Sequence, residues 1–116
     1  MSYDLDFWKY QDGVYLDNQT VYEKACCDGE RVEGLEELPI GQIRQRIADS
    51  FADWQRLDGD NYEKKGAGAF TVFTTSQIVR IDCYGLSGFD MNRLIDILLE
   101  FECPLYDPQL PARFDG

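Results

Sequence analysis

The chain has 116 residues, 44% hydrophobic and 28% charged, and its 22 acids against 11 bases give a formal net charge of −11. That length suits one domain with a core of its own, and no apolar run approaches the ~20 residues needed to cross a bilayer. The absence of histidine excludes Ser-His-Asp and Cys-His catalysis and most zinc sites, while the acidity removes the electrostatic drive toward nucleic acid and anionic membranes.

Tyr3 to Tyr10 alternates, with Tyr3, Leu5 and Phe7 on one side and Asp4, Asp6, Trp8 and Tyr10 on the other. That is the period of a half-buried strand. The acidic start lacks the basic and apolar regions of a signal peptide, so a cytoplasmic location is expected. After the Asp12-Gly13 turn, Asn18 to Cys27 reads as a short helix, with Val21 and Ala25 four apart and Asn18 or Thr20 as its cap. Gly29 ends it. Five acids then fall between residues 28 and 37 (Asp28, Glu30, Glu33, Glu36, Glu37) against one base, Arg31, with Gly29 and Gly34 among them. This is a concentrated negative loop rather than an even coat of charge.

Pro39 stands in the first turn of a second helix. Ile40, Ile43, Ile47, Phe51 and Trp54 follow as one apolar stripe. Asp58-Gly59-Asp60-Asn61 reads as a turn; its acids resemble a calcium loop only faintly, because the later ligands and the required glycine position are missing. Tyr62 to Lys65 can open a strand. Phe70 to Thr75 and Ile78 to Tyr84 form a hairpin, with Val79, Ile81 and Cys83 inward and Arg80, Asp82 and Tyr84 outward. Ser87 or Asp90 caps a last helix bearing Met91, Leu94, Ile95, Leu98 and Phe101 on one face. Pro104 stops it, residues 104–107 can close the sheet as an edge strand, and residues 108–116 form a tail. Cys26, Cys27, Cys83 and Cys103 show neither CxxC nor metal-ligand spacing. They read as reduced core residues, and neither metal nor cofactor is expected.

This order implies a single α+β domain over residues 1–116. The expected architecture is a four-stranded antiparallel sheet with helices on one face, in the split β-α-β, ferredoxin-like arrangement. The other face would be lined by Asp4, Asp6, Trp8 and Tyr10 from the first strand and by Arg80, Asp82 and Tyr84 from the third. It is either open to a partner or covered by the tail, by the first helix or by a second copy of the chain. Its aromatics sit among carboxylates rather than Lys and Arg, which disfavours RNA stacking. Asp4, Asp6 and Asp82 are the one carboxylate cluster an enzyme could use there, and an ion pair to Arg80 is the simpler reading. No enzymatic activity is expected.

Three stretches, Tyr3-Asp4-x-x-Phe7-Trp8, Gly29-Glu30-x-Val32-x-Gly34-Leu35 and Cys103-Pro104-Leu105-Tyr106-Asp107-Pro108-Gln109, carry a resemblance, together with Gly85-Leu86-Ser87-Gly88 and Asn92-Arg93-Leu94-Ile95-Asp96. They resemble an uncharacterised family of small acidic bacterial proteins, which is similar in character to the immunity proteins of contact-dependent and other polymorphic toxin systems. The resemblance implies a cytoplasmic protein that binds and neutralises a cognate, basic toxin domain, a nuclease among the candidates; the alternative is a non-enzymatic homodimeric adaptor or regulatory protein. No binding residue comes with it. The charge and alternation themselves single out Asp4, Asp6, Trp8, Tyr10, Glu30, Glu33, Glu36, Glu37, Arg80, Asp82 and Tyr84 as partner-binding residues. Direct nucleic-acid or membrane contact is not expected.

Overall fold

A computed structural model describes residues 2–107 and 112–114. Strand β1 spans Ser2–Trp8. Helix α1, Asn18–Val21, runs on into a π-helical stretch, Tyr22–Cys27, and the next helix, α2, spans Ile40–Ser50. Strands β2 (Gln55–Arg56), β3 (Asn61–Lys64), β4 (Gly68–Thr74) and β5 (Ile78–Tyr84) follow. Helix α3 (Gly88–Glu100), β6 (Leu105–Asp107) and β7 (Ala112–Phe114) complete the order.

The protein is α+β, with one antiparallel sheet in the order β2-β3-β4-β5-β1-β6-β7. The expected four strands become seven among the described residues. Two widen the sheet beyond β3 and β6: the two-residue β2, paired through Gln55↔Glu63 and Arg56↔Tyr62, and β7, paired through Tyr106↔Arg113. Strand β6 is therefore flanked on both sides and is not the edge. The β2–β3 turn is built by Asp58, whose carboxylate accepts from the backbone N–H groups of Asp60 (2.8 Å) and Asn61 (3.0 Å). These bonds hold Asp58 below the usual carboxylate range. Its acid makes the turn, in the manner of an Asx turn.

One face of the sheet carries the main core. Leu5, Phe7, Phe70, Val72, Val79, Ile81 and Cys83 meet Ile43 and Ile47 of α2 and Leu94, Ile97 and Leu98 of α3. The stripe on α2 continues past the helix end, since Phe51 and Trp54 lie beyond Ser50 and are still buried. Ser87 caps α3, accepting from the Asp90 backbone N–H at 3.1 Å. The inward face of α3 includes Ile97, which the expected stripe omitted, while Met91, Ile95 and Phe101 are only partly buried.

The opposite face is corrected more deeply. It is not open at Asp6 and Trp8, because the segment Asn18–Cys27 lies over it and buries Val21, Ala25 and Cys26 against Trp8, Ile78 and Tyr106. The pairing shows why. Trp8 stands opposite Ile78, so the outward row of β1 and β5 ends in apolar side chains rather than charge. With Tyr106 they form a second apolar patch, and burying it is favourable at about 25 cal/mol per Å². The cap of this segment is Asp17 rather than Asn18 or Thr20: its carboxylate accepts from the Thr20 backbone N–H (2.9 Å) and hydroxyl (2.7 Å).

Candidate functional site

The alternation of β1 and β5 places the expected residues side by side as the register requires: Asp4 opposite Asp82, Asp6 opposite Arg80 and Trp8 opposite Ile78. The helical cover then sorts them. Asp6 and Trp8 lie beneath it and are fully buried. Tyr10 is half-buried, and its hydroxyl donates to the Leu16 carbonyl at 3.1 Å. Asp4, Arg80 and Asp82 sit at the rim, with a fifth to a quarter of each side chain exposed. Tyr84 lies beyond the cover and is exposed.

At the rim Arg80 organises the charges. Its Nε donates to Asp82 Oδ1 at 2.9 Å, its Nη2 lies 3.9 Å from Asp4 Oδ2, and its Nη1 donates to the Cys26 carbonyl at 3.4 Å. The Tyr22 hydroxyl donates to Asp4 Oδ2 at 3.0 Å. Burial, then the Cys27 thiol and Asp4, push Tyr22 far above the usual phenol range. Burial, then Asp6, also pushes the Cys26 thiol far up, so it stays neutral. Cys26, Cys27, Thr71, Phe73, Arg80 and Asp82 line a groove of ≈ 330 Å³ where the C-terminal end of the cover overhangs the sheet. All four cysteines are free thiols, and among the described residues no group of three His, Cys, Asp or Glu side chains is placed to hold a metal ion.

The acidic loop is the second component, separate in sequence and tied to the same face. Glu30, Glu33 and Glu37 are exposed and Glu36 is half-buried. Arg31 pairs with Glu37 at 2.9 Å on the open surface, where such a pair contributes little. The loop is not slack. Gln77, buried at the turn between β4 and β5, accepts from the Val32 N–H (2.9 Å) and donates to the carbonyls of Val32 (2.9 Å) and Leu35 (3.3 Å). Leu35 is buried beside Trp8 and bridges Tyr10. Gly34 has φ 102, and a Cβ there would lie 3.0 Å from Val14 Cγ1, so glycine is required. The loop therefore presents its carboxylates from a fixed backbone.

Gln77 carried no signal in the sequence, because a polar residue at a hairpin turn reads as solvent-exposed. Its importance is testable. Gln77→Ala should lower stability by about 1–3 kcal/mol, since it strands buried backbone groups, and should speed hydrogen exchange at Val32. A urea midpoint that does not move would show that the loop holds itself.

Beyond the cover, the outward face of β3–β5 carries Glu63, Thr71, Phe73, Asp82 and Tyr84. Phe73 and Tyr84 are 44% and 46% exposed, large for aromatics in the middle of a sheet. The acidic loop begins beside Phe73, where a Cβ on Gly29 would lie 4.0 Å from the ring Cζ, while Tyr84 stands at the other end of the same outward row, opposite Ala69. No helix among the described residues is long and apolar enough to cross a membrane. Compared with models of protein families, with curated proteins and with solved structures, the chain matches none.

Proposed function

We propose that this chain is an immunity-type protein, which binds a cognate basic toxin domain and neutralises it, with a nuclease as the best-fitting target chemistry. The observation that carries the reading is the placement of the acidic loop. Glu30, Glu33 and Glu37 project from a backbone pinned by Gln77, in a loop that begins beside the exposed Phe73, on the sheet face that farther along carries the exposed Tyr84. Carboxylates steer a cationic partner into encounter, and aromatic side chains within a charged rim supply the anchors of a tight interface. Nucleases are basic because they hold phosphate backbones, so the net charge of −11 is complementary to them. In this reading the contact surface is the loop with the uncovered part of the sheet, Asp82 and Tyr84 included. Asp6 and Trp8 support it from beneath the cover. The run β4-β5-β1-β6, with α2 and α3 in its crossovers, we read as a ferredoxin-like core widened at both edges.

A homodimeric adaptor is the second reading, favoured by the same exposed Phe73 and Tyr84 and opposed by the self-repulsion of two acidic copies. Co-expression separates the two. A toxin domain encoded beside this gene should arrest growth alone and not in the presence of this chain. Continued arrest with the chain folded and abundant would exclude immunity to that toxin.

Steering makes a kinetic prediction. Replacing Glu30, Glu33, Glu36 and Glu37 together by Gln should slow association with the toxin and flatten the salt dependence of the on-rate, because less attraction is left to screen. Dissociation should change less. Stopped-flow association at low and physiological salt reads both effects, and an unchanged on-rate at both would refute steering by this loop.

A further inference from the structure

Asp6 is buried without a cation of its own. It is 0% exposed, and the groups that reach its carboxyl are the Asp4 carboxyl and the Cys26 thiol. Its cross-strand neighbour Arg80 is the natural counter-ion, yet the guanidinium is directed to Asp82, Asp4 and the Cys26 carbonyl. The other groups around it add no cation. Asp4 lies on its own strand, Tyr106 stands opposite it on β6, and Tyr22, Cys26 and Cys27 come from the cover. A carboxylate in such surroundings takes up a proton rather than remain charged.

We propose that the segment Asn18–Cys27 is a proton-latched cover, which closes over the outer sheet face while Asp6 holds a proton and lifts off when that proton is lost. The segment is built to move as a unit. It buries Val21, Ala25 and Cys26 in an apolar cluster of their own, apart from the main core. Ten residues long, it changes from α- to π-helical hydrogen bonding after Val21, a ladder that occurs mostly as single turns. Beneath it β1 keeps its pairing to β5 and β6, so the sheet survives its departure. Opening releases one proton to solvent and uncovers Trp8, Tyr106 and Asp6. These are aromatic side chains beside a carboxylate, so a closed cover hides a surface suited to a basic partner.

The direction with pH follows from linkage. Burial, and next the neighbouring Asp4 carboxyl, push Asp6 up to about 9, against the pull of Arg80. In the open form water reaches the carboxyl, and Asp6 falls back toward the ordinary value of 3.8. Between these values the closed form binds the proton and the open form does not. The opening equilibrium therefore rises about tenfold per pH unit and levels off above the upper value. The cover is tightest in acid.

Hydrogen exchange on the full chain at about pH 6 and about pH 8 tests this. After correction for intrinsic rates, protection of the amides from Val21 to Cys27 should fall about a hundredfold over those two units. It should stay below the protection of α3 at both. Asp6→Asn, which keeps the shape and removes the charge, should abolish the slope. A direct carboxyl NMR titration of the native protein gives the same answer without a variant: Asp6 should titrate far above the ordinary range. An Asp6 that titrates near 4, protection that does not change with pH, or a slope that persists in Asp6→Asn would each overturn the latch. Protection equal to that of α3 would show that the segment opens only with the whole fold.

Discussion

Trp8→Ala should destabilise the domain by about 3–5 kcal/mol, the cost of emptying a fully packed indole site. Trp8 is 0% exposed and sits 5.3 Å, ring to ring, from Tyr106 and 6.4 Å from Tyr10. It is the floor on which Val21, Ala25, Cys26 and Leu35 rest, so its loss should loosen both the helical cover and the base of the acidic loop. Against a typical stability of about 5–15 kcal/mol, the variant can be expected to unfold at much lower urea. Had the indole been an exposed anchor, the same change would leave the urea midpoint almost unmoved and act on partner dissociation alone. A midpoint within error of the native one would therefore contradict the covered face.

Leu98→Ala and Ile47→Ala test the other side of the sheet. Both side chains are 0% exposed and belong to the cluster in which α2 and α3 meet β1, β4 and β5. Each truncation should cost about 2–5 kcal/mol, the spread reflecting how far the neighbours collapse into the cavity. The two residues lie in one cluster, so their effects should not add. A double variant that loses the full sum would mean the helices pack on the sheet independently. Midpoints that barely shift for both would mean that the helix faces are assigned wrongly.

What could be read from the sequence is the part governed by period. The alternation from Tyr3 to Tyr10, of which the strand keeps the part up to Trp8, and from Ile78 to Tyr84 placed Leu5, Phe7, Val79, Ile81 and Cys83 inward, where they are buried. The spacing of Ile43 and Ile47, and of Leu94 and Leu98, gave the buried faces of α2 and α3. What could not be read depends on long-range contact. Strands β2 and β7 have two and three residues, too few for a period to show. The covered face follows from Ile78 standing opposite Trp8, a register that only the folded hairpin fixes. Its one local hint is the pairing of Val21 with Ala25, an apolar helix face that needs a surface to bury against. Gln77 illustrates the same limit: its partners Val32 and Leu35 lie more than forty residues away.

For the candidate site, the structure divides the residues expected on the outer face into a covered group, Asp6 and Trp8, and a rim. Asp4, Arg80 and Asp82 are joined as an ion-pair group at the rim, while the exposed aromatic character passes from Trp8 to Phe73 and Tyr84. Phe73 escaped notice because hydrophobic residues in strands are usually inward. Its pairing with Arg80 puts it outward, next to the start of the acidic loop. The acidic loop thus begins beside one exposed aromatic side chain, an arrangement that supports the proposed reading.

The most direct test of the proposed immunity role is a titration of toxin activity with the purified chain, using any toxin domain found encoded beside its gene. Activity should fall linearly and vanish at one equivalent, with an equimolar complex by size-exclusion chromatography. Full toxin activity in the presence of excess folded chain, or a stable homodimer of the chain that ignores the toxin, would contradict the account.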